Sequence, residues 1–137
     1  MWRNFAVVLL TWCAMGCGSG DVPRGAASGK VTLDGEPILK GTIMFLPTGE
    51  NSGGSATAEI VEGKYVIPRK LGPAIGQHRV EVIAVRNNGK KEAGSPYPPG
   101  TMVDDIEQYV PPKFNHQSEL KADVKSGDNT LSFDLKP

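Results

Sequence analysis

The stretch that decides the fold runs from Gly29 to Phe45 and reads GKVTLDGEPILKGTIMF. Apolar and polar residues alternate on both sides of the pair Asp34-Gly35, which is a strong turn dipeptide. Alternation with a period of two places every second side chain on the same face of a strand. The stretch therefore predicts two strands, each with one buried face, joined through a tight turn.

The same alternation recurs along the rest of the chain. It predicts strands at 30–33, 41–47, 56–60, 64–67, 77–85, 120–124 and 131–135. Segment 77–85 is apolar on both faces, which is typical of a central strand. In 131–135 the apolar residues share one face, which predicts an antiparallel strand with its other face in water. Short strands at these intervals, with no convincing helix, predict an all-β fold, an antiparallel seven-stranded β-sandwich.

The segment 90–112 breaks this pattern. It has no alternation and carries five prolines, at positions 96, 98, 99, 111 and 112. We predict a long Pro-rich loop here, and a connection of this length is usually functional or mobile. Within it, Asp104–Tyr109 could form a single helical turn. Turns are also predicted at Glu62-Gly63, at Asn88-Gly89 and across 126–129.

The N-terminus reads as an export signal. Arg3 supplies a positive charge, and 5–15 is an apolar run without charges, too short for a membrane-spanning helix, which needs about 20 residues. Residues 1–16 are therefore predicted to be a cleaved signal peptide. Residues 17–28 are predicted to be a flexible tether, and 29–137 the folded domain.

Cys17 follows the small residues Ala14 and Gly16, and this arrangement resembles a bacterial lipobox. The resemblance implies that the signal is cut before Cys17 and that this cysteine carries acyl chains such as palmitate, which anchor the domain to a membrane. The alternative is ordinary secretory cleavage at the same place, which leaves Cys17 unmodified. Cys13 competes poorly as an anchor because bulky Trp12 precedes it.

Composition limits the possible functions. Fifteen Lys and Arg balance fifteen Asp and Glu, so the chain offers no basic stripe for nucleic acid. After signal removal Cys17 is the only cysteine left, which excludes an intrachain disulfide. The 17 Gly and 11 Pro are consistent with many turns between short strands.

The chain also resembles carboxypeptidase-regulatory-like domains, which belong to the transthyretin-like (prealbumin-like) sandwiches. The resemblance is carried by Gly29–Ile38 with Gly41–Phe45, by Glu62-Gly63-Lys64-Tyr65, and by Gly76–Val82. The tail, from Pro112-Lys113-Phe114-Asn115 to Asn129–Leu135, is similar to small single-domain lipoproteins of planctomycete-like bacteria. The resemblance implies a Greek-key sandwich over about 28–137, and its motifs specify a fold rather than an activity.

Candidate chemistry is sparse, and we predict no catalytic residue, no metal site and no cofactor. His78 is predicted to be a core or rim histidine and His116 a surface-loop residue, at no recognisable zinc spacing. The acidic group Asp104-Asp105-Ile106-Glu107 lacks the order of a calcium loop and is predicted to be solvated. Transthyretin-like hydrolases end in a Tyr-Arg-Gly-Ser-type tail, whereas this chain ends Asp134–Pro137, which argues against that activity.

These observations favour a lipid-anchored, non-enzymatic protein of the cell envelope with a structural or interaction role. We expect it on the periplasmic or outer-membrane face, with the membrane as one partner and an envelope protein or glycan as another. The alternative is a carbohydrate- or peptide-binding module that uses 90–115, with Tyr97, Tyr109 and Phe114 as ligand-binding residues. An accessory subunit of a larger envelope complex is a further possibility.

Overall fold

A computed structural model describes residues 21–51, 53–93 and 97–137. Within these ranges the chain forms eleven strands and two single-turn 3-10 helices. The elements are β1 (Gly25–Leu33), β2 (Glu36–Pro37), β3 (Lys40–Pro47), β4 (Ala56–Val61), β5 (Lys64–Ile67), η1 (Arg69–Leu71), β6 (Gly76–Ile83), β7 (Val85–Ala93), β8 (Met102–Gln108), η2 (Pro112–Phe114), β9 (Lys121–Val124), β10 (Gly127–Thr130) and β11 (Phe133–Leu135). All seven predicted strands are present.

The main sheet has the strand order β10-β1-β5-β4-β3-β6-β9, with β2 and β11 also paired to β1. This sheet is strongly curled. In a flat sheet β3 and β11 would lie four strands apart, about 19 Å. Instead, the rings of Phe45 on β3 and Phe133 on β11 have centroids 6.4 Å apart. The sheet therefore folds over into two layers that face each other, as expected for a sandwich-like arrangement.

The core lies between these two layers. Phe45 is completely buried and also packs against the ring of Tyr65, with centroids 6.0 Å apart. The Tyr65 hydroxyl donates a hydrogen bond to the Leu131 carbonyl at 2.6 Å, so its polar end is satisfied inside the core. Burial raises the pKa of the Tyr65 hydroxyl, which keeps it a neutral donor. The alternation that predicted the strands thus also identified the core face.

Two tight turns confirm the turn predictions of the sequence. Asp34 and Gly35 have φ of 53° and 81°, and Glu62 and Gly63 have φ of 49° and 74°. Positive φ at both central residues is the requirement of a type I′ hairpin, and glycine meets it without a steric penalty. The second turn joins β4 to β5, which pair antiparallel through Val61 and Lys64.

The C-terminal strands differ from the prediction in direction. β10 and β11 pair with β1 in parallel, whereas the other strand pairs are antiparallel. The antiparallel prediction for 131–135 was wrong because alternation identifies the buried face of a strand but not its direction. The turn predicted across 126–129 overlaps β10, and the Asn129 side chain closes it by donating to the Lys125 carbonyl at 2.8 Å. The Greek-key connection stays a prediction.

The predicted long loop at 90–112 is the largest correction. β7 and β8 form a separate two-stranded antiparallel ribbon, and the proposed helical turn at 104–109 is mostly strand. The ribbon has most of its residues exposed and buries neither face fully. Neither face of the ribbon joins the core, so its strands do not require alternating apolar and polar residues. The pattern that predicts strands is therefore missing from this segment.

The predicted tether is shorter than expected. Strand β1 begins at Gly25 rather than at Gly29, and the preceding residues are already bound. Gly25 donates to the Pro73 carbonyl at 3.0 Å, and Ile75 donates to the Pro23 carbonyl at 2.9 Å. A Cβ on Gly25 would lie 2.5 Å from the Lys125 carbonyl, so the small residue that suggested flexibility serves close packing. The signal peptide and Cys17 lie outside the described residues.

The domain has two distinct ends. Gly25, Pro47 and Gly76 lie at one end, which we call the tether end because the N-terminal chain enters there. Leu39 and Ile83 lie at the opposite end, which we call the ribbon end because β7 follows β6 there. A strand of eight residues separates them by about 25 Å. In the described residues, no helix is long and apolar enough to cross a membrane.

Candidate functional site

The β7–β8 ribbon is the candidate functional site, and its base is firmly held. Ala84 donates its N–H to Gln108 Oε1 at 3.0 Å and accepts a hydrogen bond from the Tyr109 N–H at 3.2 Å. Arg86 forms an ion pair with Glu107 at 2.7 Å and places its guanidinium 5.1 Å from the centroid of the Tyr109 ring. An isolated two-stranded ribbon is only marginally stable in water. These contacts at the base therefore hold the ribbon to the domain.

A bulge shapes the middle of the ribbon. The register shifts between Asn87 and Lys91, where Gly89 has φ of 78°. Asn87 Oδ1 accepts the Gly89 N–H at 2.8 Å, and the Asn88 side-chain amide donates to Asp105 on β8. The predicted turn at Asn88-Gly89 is therefore a bulge inside a strand. Asn and Gly occur in turns and in bulges alike, because each structure needs a residue with positive φ or a side chain that hydrogen-bonds to the nearby backbone.

One face of the ribbon exposes apolar side chains. Val85, Met102 and Ile106 are 49%, 54% and 62% exposed, and the strand alternation places them on one face, which we call the ribbon face. The Lys91–Asp104 ion pair, at 3.9 Å, lies between the last two. Apolar side chains gathered on an exposed surface are typical of an interaction site. Sequence reasoning missed these residues because it treated the segment as a loop.

The three aromatic residues predicted to bind a ligand do not share a surface. Tyr97 is exposed beyond the Ala93–Met102 end of the ribbon, whereas Tyr109 is partly buried at its base. Phe114 is buried in the core, with the Lys113 ammonium 5.0 Å from its ring centroid. Most carbohydrate-binding surfaces would need such rings on one exposed face. Tyr109 and Phe114 therefore serve the packing of the ribbon base and the core.

The acidic group at 104–107 does not converge on one point. In β8 the side chains alternate, so Asp104 lies on one face and Asp105 and Glu107 on the other. Each of these carboxylates also has a partner across the ribbon. In the described parts of the chain, no three His, Cys, Asp or Glu side chains gather as metal ligands would.

His78 is buried on the core face of β6, as the sequence predicted. Its Nδ1 lies 3.0 Å from the Gly76 carbonyl, which can only accept, so Nδ1 carries the proton of the neutral ring. Nε2 faces the Asn51 side-chain amide at 3.5 Å. Burial lowers the pKa of His78, and the bond to the Gly76 carbonyl opposes that shift only in part.

An open groove of about 640 Å³ lies beside His78, on the side of β6 and β9 nearest the tether end. Its polar wall carries mixed charges, from Arg79, Glu119, Lys121 and Asp123. These side chains include basic and acidic groups in equal number, so the groove has no strong preference for one sign of charge. We assign His78 a structural role.

We expect the low pKa of His78 to make folding stability depend on pH. The unfolded chain takes up a proton near the ordinary value of 6.5, whereas the folded protein takes it up only at lower pH. The unfolded state therefore binds more protons in that window, and the free energy of unfolding falls as pH falls below 6.5. Urea midpoints measured between pH 8 and pH 5, a range chosen around this window, test it.

The second histidine provides a matched control. His116 is exposed, so His116→Gln should keep the pH dependence, whereas His78→Gln should remove most of it in the window near neutral pH. Equal pH profiles for the two variants would contradict the assignment of this effect to His78.

The chain has only a distant likeness to known proteins. No protein-family model matches the chain, and no curated protein does. Among solved structures, a crystal structure of a DUF3823 family protein from Parabacteroides merdae is similar, with 11% sequence identity and a TM-score of 0.43. The match covers 85% of this chain and 48% of that one, so the chain spans about half its length. Such a likeness carries no argument about function, and the transthyretin-like resemblance stays a prediction.

Proposed function

We propose that this chain is a lipid-anchored, non-enzymatic protein of the cell envelope that presents the β7–β8 ribbon to a protein partner. The observation that carries the proposal is the position of the two functional elements at opposite ends of the domain. The chain from Cys17 enters at the tether end, where Arg24 bridges to Ala74. The ribbon leaves from the ribbon end, after Ile83. An anchor on Cys17 therefore favours an orientation in which the ribbon points away from the lipid.

Burial of the ribbon face is the proposed driving force for binding the partner. The three apolar side chains of this face are each about half exposed or more. Full burial of one such side chain against a partner would contribute roughly 1.5–3 kcal/mol to the free energy of binding. The Lys91–Asp104 ion pair lies on the same face, between Met102 and Ile106, and would supply a charged contact within the interface. Protein–protein interfaces usually combine apolar contacts with such polar ones.

Membrane attachment is tested by replacing the proposed anchor. Cys17→Ser should move the protein from the membrane fraction to the aqueous fraction, because each acyl chain contributes about 0.8 kcal/mol per buried CH₂ group and serine carries none. Replacement of the upstream cysteine, Cys13→Ser, is the control and should leave the protein in the membrane. A Cys17→Ser protein that stays with the membrane at high salt would contradict the proposed anchor.

Partner binding is tested on the ribbon face. In cells treated with a cross-linker, Ile106→Lys should remove the cross-linked partner without changing the melting temperature, since Ile106 is largely exposed. Val66→Lys is the control, because Val66 is equally apolar and 72% exposed but lies on β5 in the body of the domain. If both variants keep the same partners as the wild type, the ribbon face is not the binding surface.

A further inference from the structure

We infer that the tether end of the domain rests directly on the surface of an anionic phospholipid bilayer. The inference extends the proposed function and depends on the anchor at Cys17. It assigns a binding role to a surface far from the ribbon, made by η1 and the entering chain. We call this surface the basal patch, and it consists of Val22, Arg24, Arg69, Lys70, Leu71 and Ile75.

The length of the tether brings this end close to the lipid. Only six residue steps separate Cys17 from Pro23, the first of the described residues whose backbone is hydrogen-bonded to the body of the domain. Whatever its conformation, a link of six residues spans at most about 20 Å. The predicted tether up to residue 28 would have allowed about 40 Å. Because Pro23 is already bound to the domain, this short link would hold the tether end near the membrane surface.

The basal patch exposes apolar side chains at this end. Leu71 is 66% exposed in the single turn of η1, and Ile75 is 40% exposed just before β6. Val22 is 36% exposed in the entering chain, two residues from Arg24, which bridges to Ala74 beside Ile75. Apolar side chains beside basic ones are the composition that lets a protein surface enter the boundary between headgroups and acyl chains.

Basic groups complete the basal patch. Arg69 and Lys70 are exposed in η1, and together with Arg24 they border one shallow depression. The Arg24 guanidinium donates to the Gly72 carbonyl at 2.8 Å, which fixes the entering chain beside η1. Asp21 lies in the same depression and Glu50 lies near Ile75, so the attraction is local and does not extend over the whole end.

These features together favour a lipid surface over a protein at this position. Guanidinium and ammonium groups bind phosphate oxygens, and the leaflet attracts each basic group that lies within a Debye length of about 8 Å. The anchor also makes the contact intramolecular, so a surface that binds membranes too weakly alone can still remain in contact with the bilayer. In this arrangement the ribbon end would point into the aqueous space.

The experiment uses the mature lipidated protein, extracted in detergent and placed in vesicles with or without phosphatidylglycerol. An environment-sensitive fluorophore is attached through Leu71→Cys, which supplies the free thiol because Cys17 is occupied by lipid. Leu39→Cys is the matched control, since Leu39 is also a leucine that is 66% exposed, but at the ribbon end. We expect the label at 71 to shift to the blue and to be quenched by lipid-borne quenchers, while the label at 39 remains unaffected.

Charge variants test the role of the lipid headgroups. The double substitution Arg69→Gln with Lys70→Gln should lower the ratio of protein with the basal patch on the lipid to protein with it off the lipid by roughly thirty-fold at low salt. Each substitution removes one basic group, and each basic group near an anionic surface changes this ratio about five-fold. The control Lys40→Gln with Lys64→Gln removes two exposed lysines at the ribbon end and should have little effect.

The outcomes separate this inference from the function on which it rests. A lipidated protein whose labels at positions 71 and 39 behave alike would overturn the basal contact and leave the anchor intact. A protein whose mass shows no acyl group on Cys17 would overturn the anchor and the basal contact together.

Discussion

Replacing Phe45 by alanine is expected to lower the free energy of unfolding by about 3–5 kcal/mol. The Phe45 side chain is completely buried, with the rings of Tyr65, His78 and Phe133 at centroid distances of 6.0, 6.2 and 6.4 Å. These neighbours come from both layers, so no small movement of one strand can fill the space that the ring leaves. The loss would be a large part of the 5–15 kcal/mol by which a typical domain is stable.

Urea unfolding followed by circular dichroism measures this loss as a shift in the midpoint at constant slope. Val66→Ala is the control, because Val66 is 72% exposed and such surface changes usually remain within about 0.5 kcal/mol. A loss below about 1 kcal/mol for Phe45→Ala would mean that Phe45 does not lie between two packed layers.

Replacing Gly29 by alanine is expected to cost about 3 kcal/mol, at the upper end of the usual range for overpacking. A Cβ at this position would lie 2.0 Å from the Leu131 carbonyl oxygen and 2.6 Å from its carbon. The backbone of residue 131 cannot withdraw easily, because its N–H donates to the Ser28 carbonyl at 2.7 Å. The C-terminal strands would have to separate from β1 to relieve the clash.

Hydrogen exchange should show this separation as lost protection in β10 and β11, together with a lower melting temperature. Gly54→Ala is the matched control, since a Cβ there meets no atom within 4 Å and the residue has no positive φ. If both glycine variants unfold at the same temperature, then β1 and the C-terminal strands are not paired as described.

Most of the fold could be predicted from the sequence because it depends on local patterns. Alternation identified β1, β3 and the core face of β6, and the Asp34-Gly35 and Glu62-Gly63 pairs identified two turns. Each of these signals lies within a few residues of the element that it predicts. The parallel pairing of β1 with the C-terminal strands could not be predicted in this way, since it joins residues about a hundred positions apart.

The candidate site was less predictable, for a physical reason. Alternation arises where one face of a strand is buried, and the ribbon buries neither face, so Met102 and Ile106 lie in a strand that the pattern does not show. Proline and tyrosine content suggested the right segment but the wrong residues, as Phe114 is a core side chain. The early start of β1 was missed because Gly25 and Ala27, which are small where the packing is close, look the same in sequence as small residues in a flexible segment.

We propose that an anchor on Cys17 holds one end of this domain to a membrane while the ribbon faces away. The most direct test is the intact mass of the mature protein extracted from membranes of the cells that make it. We predict a chain that begins at Cys17 and carries the added mass of acyl chains on that residue. A mature chain recovered from the aqueous fraction, beginning at the same cysteine with an unmodified thiol, would contradict it.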